Sequence, residues 1–126
     1  MSTPEISWYE QIVQCTSYSV IVADQQGIIR VWNKSAEALF GYSETEMLGQ
    51  SVKTIIPINF QRAHSACYAK AMAAQRGYSR AKESTVPARH RDGRTIQIRG
   101  NLTVLQDPIG MVTGAALIVR LVDDSA

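Results

Sequence analysis

Trp32-Asn33-Lys34-Ser35-Ala36-Glu37-Ala38-Leu39-Phe40-Gly41-Tyr42-Ser43-Glu44-Thr45-Glu46-Met47-Leu48-Gly49 is the stretch on which the architecture turns. It opens at the end of a strand, because Ile28-Ile29-Arg30-Val31-Trp32 is rich in β-branched and aromatic residues. At Asn33 the period changes. Its short amide side chain is suited to end the strand and to cap the helix that follows, Ser35 to Phe40. Ser43 then caps a further turn, with Glu46 three residues on, the pairing in which cap and carboxylate each satisfy the other's backbone N–H. Gly41 and Gly49 separate these pieces and permit sharp reversals between them. Val52 to Ile56 completes the run of short helices before Pro57.

Upstream, Tyr18 to Asp24 reads as a strand and Gln25-Gln26-Gly27 as the hairpin turn into the next. The first strand is apolar on both faces, so it is expected to be central and covered twice. A helix from Pro4 to Cys15, capped by Ser2 or Thr3, is the expected cover on one side. Downstream, Asn59 caps and Gly77 ends a longer helix reaching Gln75. Its Phe60, His64, Cys67, Ala71 and Ala74 recur at three- and four-residue steps, which predicts one buried stripe. Three strands follow, near 79–90, 94–105 and 111–122, joined at Arg91-Asp92-Gly93 and Asp107-Pro108-Ile109-Gly110. Two strands, a run of helices and three strands, without βαβ alternation, predict an α+β fold: a five-stranded antiparallel sheet with helices across one face.

The 126 residues, 45% apolar and 19% charged with mean hydropathy −0.10, suit one domain. Ala115-Ala116-Leu117-Ile118-Val119 stops at Arg120, short of the ~18 apolar residues of a membrane span. The N-terminus lacks a signal-peptide pattern, so the expectation is a cytoplasmic chain with no membrane partner. Cys15 and Cys67 have no CxxC spacing, which predicts buried, reduced thiols rather than a metal site. Net charge is only +2, and the basic residues Arg76, Arg80, Lys82, Arg89, Arg91, Arg94 and Arg99 lack aromatic interleaving after Tyr78. That pattern fits a solvated hairpin better than a nucleic-acid groove. No nucleophile with a base, carboxylate pair or phosphate loop stands at diagnostic spacing, so no enzyme is expected.

The opening stretch, with Ile55-Ile56-Pro57 and the charged hairpin Arg89-His90-Arg91-Asp92-Gly93, closely resembles the signature of PAS sensory domains. The resemblance covers about residues 17–122. It implies a flanking N-terminal helix (1–16), the PAS domain (17–122) and a short tail (123–126). It also implies a ligand between the sheet's inner face and the long helix. Period-two counting puts Ile96, Ile98, Gly100, Leu102 and Val104 on the inner face of the fourth strand. Many members carry a bulky aliphatic where Gly100 stands, so Gly100 is read as room for a ligand, a bulge or close approach by another group being the alternative. Ala63, Cys67, Ala71 and Ala74 on the facing helix are small as well.

His64, seven residues after Pro57, matches by spacing the axial histidine of oxygen-sensing haem PAS domains. The resemblance therefore implies haem b, with His64 as the iron ligand, as one candidate cofactor. Cys67, Tyr68, Ala71, Ser84, Ile98, Gly100, Leu102 and Trp32 complete the expected binding set. Ser84 falls where those oxygen sensors carry an arginine, with Arg80 and Lys82 nearby. Val52 stands in place of the reactive cysteine of light-sensing flavin domains, which excludes a photo-adduct. Non-covalent flavin against the Trp32 indole is a weaker alternative, and an unidentified small molecule the remaining one. His90 is expected to point to solvent from its hairpin. The expected function is a sensor that binds a small molecule and signals through dimer contacts to an output domain or partner protein. The alternative is a ligand-free dimerisation or interaction module. A homodimer would use the N-terminal helix, with Trp8 and Ile12, and the outer sheet face. The end of the last strand, Arg120-Leu121-Val122-Asp123, departs from the Asp-(Ile/Val)-Thr with which the family usually leads into an output helix.

Overall fold

The computed structural model describes residues 7–73 and 83–122. In chain order it contains α1 (Trp8–Cys15), β1 (Ser19–Asp24), β2 (Ile29–Trp32), α2 (Lys34–Phe40) and α3 (Glu44–Met47). Two single-turn 3₁₀ helices, Val52–Ile55 and Ile58–Phe60, lead into α4 (Gln61–Ala73). The sheet is completed by β3 (Ser84–Arg89), β4 (Thr95–Gln106) and β5 (Val112–Leu121). All pairings are antiparallel, in the order β2-β1-β5-β4-β3, so the expected α+β architecture is present. Ala74, Gln75, Gly77, Arg80, Lys82, the proposed caps Ser2 and Thr3, and residues 123–126 lie outside the described residues.

The pivot at Asn33 does more than cap. Its Oδ1 accepts from the N–H of Ala36 (3.0 Å), opening α2, and from the N–H of Val20 (2.9 Å) in β1. Its Nδ2 donates to the carbonyls of Val13 (2.6 Å) and Tyr18 (3.0 Å). A fully buried amide thus uses its whole hydrogen-bonding capacity to join α1, β1 and α2. Gly41 ends α2 at φ +84°, the left-handed conformation that glycine adopts without strain. The Ser43–Glu46 reciprocal cap is formed as expected.

The core lies under one half of the sheet. Trp32, Phe40, Met47 and Ile55 pack with Ile21, Ile29, Ile98 and Val119, bringing α2, α3 and the first 3₁₀ turn onto the inner face. The Trp32 and Phe40 rings lie 5.4 Å apart and tilted, and the indole Nε1 donates to the carbonyl of Tyr42. The other half is less filled. No residue of α4 is fully buried: Phe60 at its base and Ala63 and Cys67 are exposed, and His64 and Ala71 are half-buried. The expected buried stripe is therefore only a shallow seat, because alanine and cysteine side chains are too short to reach the sheet.

Three further expectations are corrected. Ser7, not Ser2 or Thr3, caps α1, its Oγ accepting from the N–H of Tyr9. The helix, expected to cover β1, instead rests on α2 and beside Arg30 and Val31 of β2; no α1 residue is buried, and Ile118 on the outer face of β5 is exposed. Both thiols, Cys15 and Cys67, are exposed rather than buried, since one lies on α1 and the other on the lightly seated α4.

Candidate functional site

Register decides which strand residues face α4. Ser84 pairs with Gly100, which pairs with Val119; Val86 pairs with Ile98; Leu102 pairs with Leu117. Directly opposed residues share a face, so these seven side-chain positions look toward the helix. Between them and α4 lies a cavity of about 380 Å³, its other walls being Ile55, Ile56, Phe60, Ala63, His64 and Cys67. That volume falls within the roughly 300–1,000 Å³ of small-molecule sites. Ile98 and Val119 form its floor, whereas Val86 and Leu102 are exposed at the mouth. Its lining is apolar except for the His64 imidazole, the Ser84 hydroxyl and the Cys67 thiol.

His64 is half-buried, and its ring stacks on Tyr68 with 5.8 Å between centroids. Burial, reinforced by the Lys53 ammonium, pushes its pKa below the ordinary value of 6.5. The imidazole is accordingly neutral at pH 7, with one nitrogen carrying a lone pair that can accept a hydrogen bond or ligate a metal. A second, smaller and more polar space of about 240 Å³ adjoins the same residue. Gln25, Gln26 and Gly27 of the β1–β2 turn, Ser51, Val52 and Lys53, and Ser65, Tyr68 and Ala69 of α4 form its walls.

Of the residues expected from sequence, His64, Cys67, Ser84, Ile98, Gly100 and Leu102 do line the apolar cavity. Three do not. Trp32 is enclosed in the core against Phe40, which removes it as a platform for a flavin ring. Tyr68 lines only the polar space, because its hydroxyl is turned toward β1 and donates to the carbonyl of Asp24 (2.5 Å). Burial, and secondarily the Asp24 charge, push its pKa up to about 12. Ala71 lines neither space.

At Gly100 the close approach, the alternative to ligand room, holds. A Cβ built there would stand 2.0 Å from the carbonyl oxygen of Ile118 and 2.7 Å from Cα of Val119. It would strike the backbone of β5, so the glycine permits close strand approach and is no source of ligand room. His90 is also corrected: its side chain is 17% exposed, and its ring lies under Gly41, where an added Cβ would come within 2.9 Å of Cε1. The Arg91 N–H donates to the carbonyl of Phe40 and its guanidinium pairs with Glu46 at 2.7 Å, which draws the hairpin against the end of α2. Ile56, Val86 and Lys53 were missed as site residues. Alternation on β3 could have found Val86, but nothing in the local pattern marks Lys53.

Among the described residues no group of three or more His, Cys, Asp or Glu is placed to hold a metal ion, and no helix is long and apolar enough to cross a membrane. A 39-residue segment, 31% of this chain, is 46% identical to the sensor protein FixL of Bradyrhizobium diazoefficiens. That match spans only 8% of the relative. Among solved structures, the PAS domain of a protein from Colwellia psychrerythraea superposes with TM-score 0.77 and 24% identity, over 90% of this chain and 93% of that one. The PAS domain of an HTR-like protein from Haloarcula marismortui gives TM-score 0.70 and 21% identity, over 90% and 88%. The family model for the PAS fold matches residues 8–122, and with the strand order, the capped short helices and the space beneath α4 this establishes the chain as a member of the PAS family of sensory and signalling domains.

Proposed function

We propose that this PAS domain is a sensor whose ligand occupies the 380 Å³ cavity between β3, β4, β5 and α4, contacting His64. The observation that carries this reading is the uneven filling of the fold. The same sheet is densely packed under α2 and α3 and hollow under α4, where the cavity wall is apolar apart from three polar side chains. A domain serving only as an interaction module, filled by its own side chains, would have no need of that hollow. Ligand binding beneath α4 gives the sensor a means of moving a lightly seated helix. Signalling through a homodimer then fits the exposed Trp8, Tyr9 and Ile12 of α1. No catalytic role is proposed.

Haem b is a specific reading of that ligand, favoured by the half-buried, neutral imidazole of His64 on an apolar wall. His64 would hold the iron, and Ile98, Leu102 and Leu117 would exclude water from the porphyrin. When bound, the iron would supply a coordination position for a diatomic gas. Native mass spectrometry and an absorbance spectrum of the purified chain test both levels. A co-purifying small molecule lost in a cavity-filling Ala63→Phe variant supports the sensor. A Soret band after haem addition, lost in His64→Ala, supports haem. Binding of haem undiminished in His64→Ala overturns the axial assignment, and a chain that takes up no ligand overturns the sensor reading.

A further inference from the structure

The polar space beside His64 is absorbed by neither reading. Its walls supply the Lys53 ammonium, the Ser51 and Ser65 hydroxyls and the Gln26 amide, and no aspartate or glutamate. The other polar groups are committed: the Gln25 amide donates to the carbonyl of Val112 and the Tyr68 hydroxyl to that of Asp24. The nearby Asp24 carboxylate is held by Arg30 at 2.8 Å and by the N–H groups of Gln26 and Ile28. Among the described residues Lys53 has no carboxylate within 4 Å. The space thus gathers several donors, beside the apolar Val52 and Ala69, around an exposed cation with no carboxylate next to it. His64 lines both this pocket and the apolar cavity.

Resting on the sensor reading, we infer that the two spaces form one site for an amphiphile, whose apolar body fills the cavity beneath α4 and whose carboxylate enters the pocket at Lys53, Ser51 and Ser65. A neutral apolar molecule makes no use of the Lys53 ammonium; a small free anion leaves the larger cavity empty. Only a ligand carrying both parts uses both walls. The His64 imidazole, at the junction, donates its N–H toward the carboxylate.

The test is a calorimetric titration of the full chain with octanoate and with 1-octanol, which share the apolar body and differ in charge. A charge-assisted contact at a half-exposed site makes octanoate the tighter ligand by roughly three- to ten-fold. Lys53→Gln removes that preference without weakening octanol, Lys53→Arg retains it, and Ala63→Phe weakens both ligands. Because Lys53 is exposed, thermal denaturation of its variants serves as the folding control. Equal affinity for the two ligands, or a preference unchanged in Lys53→Gln, overturns the head-group pocket while leaving the apolar cavity standing. Binding of neither ligand overturns the cavity reading itself, and this inference with it.

Discussion

Replacing Gly100 by alanine separates close strand approach from ligand room as the reason for a glycine at that position. The added methyl would sit 2.0 Å from the Ile118 carbonyl oxygen, where about 3.2 Å is the nearest tolerable contact. Strands β4 and β5 would have to part by roughly an ångström there. β5 cannot yield freely, being bonded to β1 on its other edge through Ser19–Val119 and its neighbours. Overpacking costs about 1–3 kcal/mol, and one or two weakened ladder hydrogen bonds add about 0.5–1.5 kcal/mol each. The expected loss is about 3 kcal/mol, a large share of the roughly 5–15 kcal/mol that holds a domain together. In a chain of 126 residues this lowers Tm by about 12 °C. Urea unfolding followed by circular dichroism measures it. A Gly100→Ala variant within 1 kcal/mol of the parent would refute the close-approach account and restore the glycine as a source of pocket volume.

Asn33→Ala should cost about 3 kcal/mol, one part the lost helix cap and the other a buried Val20 N–H left unpaired. Asn33→Asp keeps both acceptors but sets a carboxylate against two carbonyls. Its folded pKa is raised, so its deficit is largest at pH 7 and shrinks as pH falls; a pH-independent deficit in urea titrations would count against this. Because His64 has a folded pKa below 6.5, its contribution to stability is complete above that pH and is lost as pH falls toward the folded pKa. His64→Gln should flatten the stability profile between pH 7.5 and 5.5, and an unchanged slope would show that another group titrates there. Deleting residues 1–15 should convert a homodimer to a monomer by light scattering, and a shortened chain that stays dimeric at low micromolar concentration would remove α1 from the interface.

The fold was legible because its punctuation is local. Asn33, Gly41 and the Ser43–Glu46 pair act within a few residues of themselves, and strand alternation gave the inner face of β4 correctly. The site was half legible. Alternation and helical phase brought Ile98, Leu102, Cys67 and His64 to one cavity, but phase gives direction and not depth. It could not show that α4 stands high on alanines, leaving Cys67 exposed. Trp32 and Tyr68 escaped because their polar atoms are claimed across the chain, by Tyr42 in one case and by Asp24 in the other. For Gly100, sequence gave the absence of a side chain, but only the register with Ile118 and Val119 shows what the absence accommodates.

The bonds at Asn33 also have a mechanical meaning. Helix α1 is fastened near its C-terminal end, where Asn33 holds the carbonyl of Val13 and the Ser35 hydroxyl donates to that of Thr16 at 2.6 Å. Its opposite end, Trp8 and Tyr9, projects with more than 80% of each residue exposed. The five residue steps from Val13 back to Trp8, at about 1.5 Å each, make a lever arm of roughly 8 Å with its fulcrum at Asn33. Tilting it by 10° sweeps its tip roughly 1.4 Å while its base shifts hardly at all, by simple proportion from that length. Asn33 also belongs to the joint where β2 hands over to α2. A small rotation of that joint would thereby be geared into a larger displacement at the exposed Trp8 and Tyr9.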